Sequence, residues 1–354
     1  MYNADLCHDI LFEKIQPKLS RRQDEQSYEE WRDTIYEKLI QLTGLDEIAK
    51  NACPLNVQIE REEEKDGYKL IRFTFESEIG AIVPCYLLIP NTGKEKYPVA
   101  ITLQGHSTGF HLSIGETKYD GDENNQPRVS FALQAVQNGF IALAIEQRAM
   151  GERRSPRSYG KENIPHARAH MCAHASLTAI ALGRTVLGER IWDVSKAIDA
   201  LSYFPVCDTE KILITGNSGG GTASYYAACY DKRIQISVPS CSFCSYRTSI
   251  FDIEHCACNY MPNMAKWFEM QDLACLIAPR HLIAVTGKED PIFPIDGVRK
   301  SFQRVREIYT ESGAADNCQM VETPKGHWWC EDLVWNAVMQ KCKKTGLVTT
   351  LFLC

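Results

Sequence analysis

The hydrophobic and polar positions of this chain follow one pattern near its start and another over the rest of its length. Near the start, apolar residues recur at helical spacing with charged residues between them: Tyr28, Trp31, Ile35, Leu39 and Leu42. Gly44 follows this stripe and is a typical helix stop. The pattern predicts a helical extension over residues 1–55 that packs its apolar stripe on a larger body.

From about residue 56 onward, short apolar runs alternate with helical patterns. Two strand-like runs, Lys69–Phe75 and Ala81–Ile89, predict an antiparallel hairpin. The later predicted strands are Val99–Leu103, Phe140–Ile145, Lys211–Thr215, Ile234–Val238, His281–Thr286 and Gln319–Glu322. The predicted helices between and after them are Phe131–Gln137, Thr185–Leu201, Gly219–Tyr230, Val298–Tyr309 and Glu331–Lys341. Such alternation is typical of a mostly parallel sheet flanked by helices, so we predict one large α/β domain over residues 56–354.

Three long segments interrupt the alternation, near residues 104–128, 147–176 and 240–272. Each follows a predicted strand, so each should leave the sheet at its carboxyl edge, where open α/β sheets bind their ligands. Loops of this length are usually functional or disordered. We therefore expect these insertions to form the walls of a pocket.

Composition excludes several classes of protein. Apolar residues make up 44% and charged residues 24% of the 354 residues, as in ordinary globular proteins, and the formal net charge of −6 argues against a nucleic-acid binder. No apolar run is long enough to span a membrane, and the acidic, polar start does not resemble a signal peptide. We expect most of the 15 cysteines to be reduced and buried, and the protein to be cytoplasmic.

The strongest chemical motif is Gly216-Asn217-Ser218-Gly219-Gly220, which lies directly between a predicted strand and a small-residue helix. A G-x-S-x-G sequence in this context is typical of a nucleophile elbow, in which a tight turn exposes the serine and leaves no room for neighbouring side chains. We therefore interpret Ser218 as a nucleophile rather than as an idle serine in a glycine-rich turn.

An activated serine needs a base and a carboxylate that orients it, in the chain order Ser, Asp or Glu, His. Asp290 follows the predicted strand His281–Thr286, and His327 follows the predicted strand Gln319–Glu322. We predict that Asp290 and His327 complete a triad with Ser218 above one sheet edge. The rival carboxylates are Glu289 and Asp296, and the rival bases are His255 and His281.

The tetrahedral intermediate of such a reaction also needs backbone donors for its oxyanion. The first predicted donor is the amide of Gly219, next after the nucleophile. The second is the amide of His106, in the turn Gln104-Gly105-His106 that follows a predicted strand.

Together, these motifs resemble the α/β-hydrolase superfamily, within it the branch of dienelactone hydrolases and acetyl xylan esterases. The resemblance covers about residues 56–345 and also includes Glu146-Gln147-Arg148, Gly287–Pro294 and Lys325-Gly326-His327. It implies an α/β-hydrolase fold with the triad and the oxyanion donors named above. Two departures are Gln104-Gly105 where many relatives have His-Gly, and a serine where true dienelactone hydrolases have cysteine.

Other clusters have competing structural and functional interpretations. His166, His170 and His174 lie on one predicted helix, too far apart for all three to bind one metal ion. Cys241-x2-Cys244 with Cys256-x-Cys258 resembles half of a zinc site, although we favour buried thiols and expect no metal or other cofactor. Trp328, Tyr260 and Trp267 are candidate sugar-stacking residues, although aromatic residues more often belong to a core.

The sequence thus predicts a serine hydrolase that cleaves a short-chain, acetyl-type ester of a carbohydrate or a similar small polar alcohol. The alternatives are a peptidase or amidase of the same fold, and a catalytically silent protein that binds a ligand or a metal. We expect a small-molecule ester as the partner, with no nucleic acid and no membrane, and we leave open a homo-oligomer.

Overall fold

The structure, a computed structural model, describes residues 2–21, 25–155 and 168–346, the side chains of 168–171 excepted. The strands are β1 (Gln58–Lys65), β2 (Tyr68–Glu76), β3 (Ile82–Pro90), β4 (Tyr97–Leu103), β5 (Ile141–Ile145), β6 (Cys207–Asn217), β7 (Ile234–Ser240), β8 (His281–Gly287) and β9 (Cys318–Thr323). They form one nine-stranded sheet in the order β1-β2-β3-β5-β4-β6-β7-β8-β9.

The helices are α1 (Leu6–Lys14), α2 (Tyr28–Thr43), α3 (Leu45–Ala49), α4 (Phe131–Gln137), α5 (Arg168–Ala181), α6 (Val186–Ala200), α7 (Gly219–Tyr230), α8 (Ala274–Ile277), α9 (Ile295–Glu311) and α10 (Glu331–Thr345). Two groups of buried apolar residues, one including Ile101 and Ile214 and the other Ala100 and Leu213, pack on opposite faces of the sheet. No helix in the described part of the chain is long and apolar enough to cross a membrane.

The predicted antiparallel hairpin is confirmed, because β2 pairs with β3 from Tyr68 opposite Pro90 to Glu76 opposite Ile82. The strands from β4 to β9 are parallel to one another. The sequence analysis missed β1, which pairs antiparallel with β2 at the sheet edge. Its sequence QIEREEEK carries no apolar alternation, and charge on an edge strand discourages pairing with other chains.

The N-terminal helix α2 packs its apolar stripe as predicted, with Trp31, Ile35 and Leu39 fully buried. Ser27 caps its first turn in a reciprocal pair with Glu30, and Gly44 ends it at a φ of 73°. A Cβ atom at Gly188 of α6 would lie 3.0 Å from the carbonyl carbon of Thr43, so the two backbones are in close contact there. These helices thus share the core on one face of the sheet.

The three insertions leave the sheet at the ends of β4, β5 and β7, so they share the carboxyl edge with the turn after β6. The division of the chain into residues 1–55 and 56–354 remains a prediction. The fold therefore brings Ser218 and the loops after four neighbouring strands to the same edge of the sheet.

Candidate active site

Ser218 lies on a strained turn between β6 and α7, with φ 57° and ψ −125°. Such positive φ values are costly for residues with a side chain, and they recur at nucleophile elbows. The turn is held by a hydrogen bond from the Ser218 amide to the carbonyl of Ser240, at 2.9 Å. A Cβ atom at Gly216 would lie 2.6 Å from the carbonyl carbon of Gly220, so only glycine fits the turn.

His327 and Asp290 form a close pair beside this turn. The Nδ1 atom of His327 lies 2.9 Å from Oδ2 of Asp290, and the other carboxylate oxygen accepts hydrogen bonds from the amides of Ile292 and Phe293. Asp290 is only 4% exposed. Burial alone would raise the pKa of Asp290, but the hydrogen bond and charge of His327, with the two amides, hold it below its ordinary value.

Backbone contacts between the loops after β8 and β9 bring this pair together. The amide of Lys288 donates to the carbonyl of Thr323 at 2.9 Å, and the amide of Glu289 donates to that of Lys325 at 3.1 Å. The ring of Phe293 stacks on His327, with centroids 6.0 Å apart. The Asp290–His327 pair is therefore built on rigid strand ends and held from two sides.

The turn Gln104-Gly105-His106 lies directly against the elbow. A Cβ atom at Gly105 would be 2.9 Å from the carbonyl oxygen of Asn217, and one at Gly219 would be 2.9 Å from the His106 ring. Within the described residues, the amides of His106 and Gly219 donate no hydrogen bond to another protein group. Two unpaired N–H groups next to a strained serine could together bind an oxyanion.

Ser218 and His327 line the same cavity, which has a volume of about 190 Å³. The remaining lining residues are Gln104, Gly105, His106, Ser107, Leu112, Asn125, Arg128, Val129, Phe131 and Asn217. Most of them belong to the first insertion, so that segment supplies the greater part of the wall. Sequence reasoning did not single out Arg128, whose Nη2 donates to Asn125 at 3.0 Å.

The family model of the Abhydrolase family matches residues 4–238, about two thirds of the chain. The chain belongs to the Abhydrolase family. A protein described as "putative hydrolase YtaP" from Bacillus subtilis (strain 168) is 26% identical over 279 residues, which cover 78% of this chain and 88% of that protein.

Solved structures of esterases share the fold of this Abhydrolase-family chain. A "putative acetyl xylan esterase" from Bacteroides fragilis NCTC 9343 matches with a TM-score of 0.78 at 17% identity, covering 96% of this chain and 95% of that one. The glucuronoyl esterase from Solibacter usitatus matches with a TM-score of 0.62 at 13% identity, covering 85% and 91%. The family match and these likenesses confirm the predicted α/β-hydrolase fold.

The rival residues of the Abhydrolase-family site lie elsewhere or face away. Glu289 is exposed, Asp296 lies in the first turn of α9, and His281 begins β8 at the opposite edge of the sheet. His255 is closer to the site, and burial together with the neighbouring imidazoles of His106 and His327 lowers the pKa of His255 to about 4. Its Nδ1 contacts the side-chain amide of Asn259 at 3.1 Å, so His255 is a neutral neighbour of the site.

None of the three candidate stacking residues lines the cavity. The hydroxyl group of Tyr260 donates to the carbonyl of Ile250, and the ring of Trp267 lies under the ammonium group of Lys38. Trp328 is 44% exposed and lies outside the cavity under the Arg128 guanidinium, 4.0 Å from the ring centroid. These three remain candidates only for a more distant part of a large substrate.

The four cysteines that resemble half of a zinc site in the sequence do not come together in the described part of the chain. Cys241 lies beside Asp290 and His327, and Cys244 contacts the Thr248 hydroxyl at 3.2 Å. Cys256 and Cys258 lie instead with His106 and Cys172. Among the three histidines, His166 and the side chain of His170 fall outside the described residues, and His174 is exposed.

A fully buried carboxyl group, Glu146, lies beneath the oxyanion loop. One oxygen accepts a hydrogen bond from the Gln104 side chain, and the other accepts from the amides of Phe110 and Glu152 at 3.3 and 3.1 Å. Burial raises the pKa of Glu146 to about 7, although the two amides oppose this shift. Glu146 thus joins the loops that follow β4 and β5 and titrates near neutral pH.

We expect the stability of the protein to report this titration. The pKa of Glu146 is higher in the folded than in the unfolded protein. The stabilisation that protonated Glu146 gives the folded state is therefore fully present below pH 4.5 and is lost as pH rises through 7. A shift of this size corresponds to about 3 kcal/mol. Between pH 4.5 and pH 8, the free energy of unfolding of the wild type should fall by about this amount relative to that of Glu146→Gln. Urea denaturation at each pH measures both values.

Glutamine suits this comparison because it is neutral at every pH and similar in shape. Gln104 Oε1 has no partner among the described residues, so a flip of that amide would let it accept from the new side chain. Other titrating groups contribute equally to both proteins and cancel. Parallel stability profiles of the two proteins would contradict the raised pKa.

Proposed function

We propose that this Abhydrolase-family protein is a serine hydrolase that cleaves a carboxylic ester, with a short acyl group carried by a carbohydrate or a similar small polar alcohol. The observation that carries the proposal is that the strained Ser218 and the Asp290-bound His327 line one cavity, next to the unpaired amides of His106 and Gly219. The esterase names of the structural relatives agree with it.

In this mechanism, the Ser218 oxygen attacks the ester carbonyl and His327 takes the serine proton through Nε2. Asp290 binds the opposite ring nitrogen, fixes the tautomer and stabilises the imidazolium that forms. The amides of Gly219 and His106 donate to the oxyanion. His327 then returns the proton to the leaving alcohol, and a water molecule deprotonated by the same histidine hydrolyses the acyl-enzyme.

The size of the cavity supports a short acyl group. Its volume of about 190 Å³ lies below the range of about 300–1,000 Å³ that is usual for small-molecule pockets. The wall combines apolar Leu112 and Phe131 with polar Asn125 and Arg128. Because Arg128 lines the cavity, its guanidinium group could donate to a hydroxyl or other polar group of the substrate.

A panel of p-nitrophenyl esters from acetyl to octanoyl tests this proposal. We expect kcat/KM to be highest for the shortest chains and to fall about tenfold or more beyond butyryl, because extra methylenes have no room in the cavity. Acetylated xylo-oligosaccharides and a methyl ester of glucuronic acid in the same panel separate the two esterase types named among the relatives. Faster turnover of octanoyl than of acetyl esters would contradict the short-chain proposal.

Two further assays separate the alternatives. A fluorophosphonate probe should label Ser218, as shown by peptide mapping, whereas a catalytically silent protein would not react. Comparing p-nitrophenyl acetate with p-nitroacetanilide distinguishes an esterase from an amidase, and we expect the ester to be preferred. A preference for the anilide would favour the peptidase or amidase alternative.

A further inference from the structure

Behind the oxyanion loop, one imidazole and three thiols converge from separate parts of the chain. The ligand atoms of His106, Cys172, Cys256 and Cys258 all lie within 4.8 Å of one another. His106 follows β4, Cys172 lies on α5, and Cys256 and Cys258 belong to the third insertion. Three distant segments thus place their metal-binding atoms at one point.

The spacing of these atoms matches a tetrahedral site better than a disulfide. The sulfur atoms of Cys258 and Cys256 are 3.2 Å apart, and Cys258 Sγ lies 3.3 Å from Nε2 of His106. A disulfide needs about 2.0 Å between sulfur atoms. With ligand bonds of about 2.0–2.3 Å, the edges of a tetrahedral zinc site are about 3.5–3.8 Å. The ligand atoms of the cluster are separated by 3.2 Å at Cys256–Cys258 and by no more than 4.8 Å elsewhere, so the cluster has the size of such a site.

The buried, positively charged side chain of Arg190 beside the cluster is independent evidence that the cysteines are thiolates. Arg190 is 3% exposed, and no carboxylate lies within ion-pair distance of it in the described part of the chain. Its Nη2 donates to the carbonyl of Arg148 at 2.8 Å and contacts Cys172 Sγ at 3.5 Å. A buried guanidinium requires a compensating anion. A divalent cation bound by three thiolates and one neutral imidazole has a net charge of −1, which Arg190 would balance.

We propose that His106, Cys172, Cys256 and Cys258 bind one structural zinc ion. Four protein ligands leave no open coordination position, as in structural rather than catalytic zinc sites. The ion would link α5 and the third insertion to the ring of His106, whose amide lies at the elbow. This set of ligands replaces the four-cysteine group considered from the sequence.

Metal analysis of the purified full-length chain tests the proposal. After expression with added zinc and gel filtration, we expect about one zinc ion per chain, with Cys256→Ser and Cys258→Ser each losing most of it. Cobalt(II) added to protein stripped of metal should give thiolate-to-cobalt charge-transfer bands and the visible spectrum of a tetrahedral site. These readouts do not depend on the hydrolase activity, so they stand if the proposed function fails.

Cys244→Ser is the matched control, because Cys244 is buried like Cys258 but its sulfur contacts Thr248 instead of the cluster. This variant should retain the zinc. Equal loss from Cys244→Ser would overturn the proposed ligand set. A wild-type chain that holds neither zinc nor cobalt after incubation with each would overturn the site itself, even if the serine variants fail to fold. Rapid alkylation of Cys258 in zinc-loaded wild-type protein would also contradict it.

Discussion

Replacing Ser218 with alanine should lower kcat/KM for p-nitrophenyl acetate by about 10⁴-fold or more, because the acyl-enzyme cannot form without the serine oxygen. Residual activity should come only from the two amides and from binding of the ester in the cavity. The fold should remain intact, because the backbone of the elbow is held by main-chain contacts to Ser240 and by close glycine packing. The free energy of unfolding should therefore stay within about 0.5 kcal/mol of wild type.

Ser224→Ala is the matched control for this experiment. Ser224 is a buried serine on the same helix α7, and its hydroxyl group donates to the carbonyl of Gly220 one turn earlier. We expect this variant to retain activity and to react with the fluorophosphonate probe. Ser218→Ala protein with wild-type turnover would exclude Ser218 as the nucleophile, whatever the outcome of the metal analysis.

The arrangement of the candidate site followed from the sequence because the fold class fixes where strands end. Parallel strands with helical crossovers bring the residues after each strand to one edge, so Ser218, Asp290 and His327 could be placed together from their positions alone. Glu289 is adjacent to Asp290 in sequence, so the two side chains cannot both point at the histidine. The structure buries Asp290 against His327 and leaves Glu289 exposed.

Contacts between loops were less predictable, because no periodic pattern encodes them. Cys256 and Cys258 were compared with the nearby Cys241 and Cys244, whereas the fold brings them to Cys172 and His106, 84 and 150 residues away in sequence from Cys256. The same limit applied to Gln104 and Glu146, which meet across the ends of β4 and β5. The edge strand β1 was missed because neither of its faces is apolar.

A buried ion-pair network connects the core of the fold to the second insertion, and Asp193 is at its centre. Asp193 is 2% exposed and lies on α6. Its carboxylate binds the guanidinium groups of Arg148 at 3.0 Å and Arg153 at 2.6 Å, and accepts a hydrogen bond from Ser77 at 2.6 Å. Burial opposes ionisation, yet Arg148 and Arg153 hold the pKa of Asp193 well below its ordinary value. The carboxylate is therefore ionised throughout the neutral range.

Asp193→Asn should lower the free energy of unfolding by about 3–5 kcal/mol at pH 7, because it leaves two mostly buried guanidinium groups without their central anion. Since the folded pKa is depressed, the wild-type advantage is present above the unfolded pKa of about 3.9 and is lost as pH falls below it. Urea denaturation at pH 7 measures the loss.

Asp199→Asn on the same helix is the control. The partners of Asp199, Lys196 and Arg233, are partly exposed, so this substitution should lower the free energy of unfolding by about 1 kcal/mol or less. Equal losses in the two variants would mean that burial does not strengthen the Asp193 network.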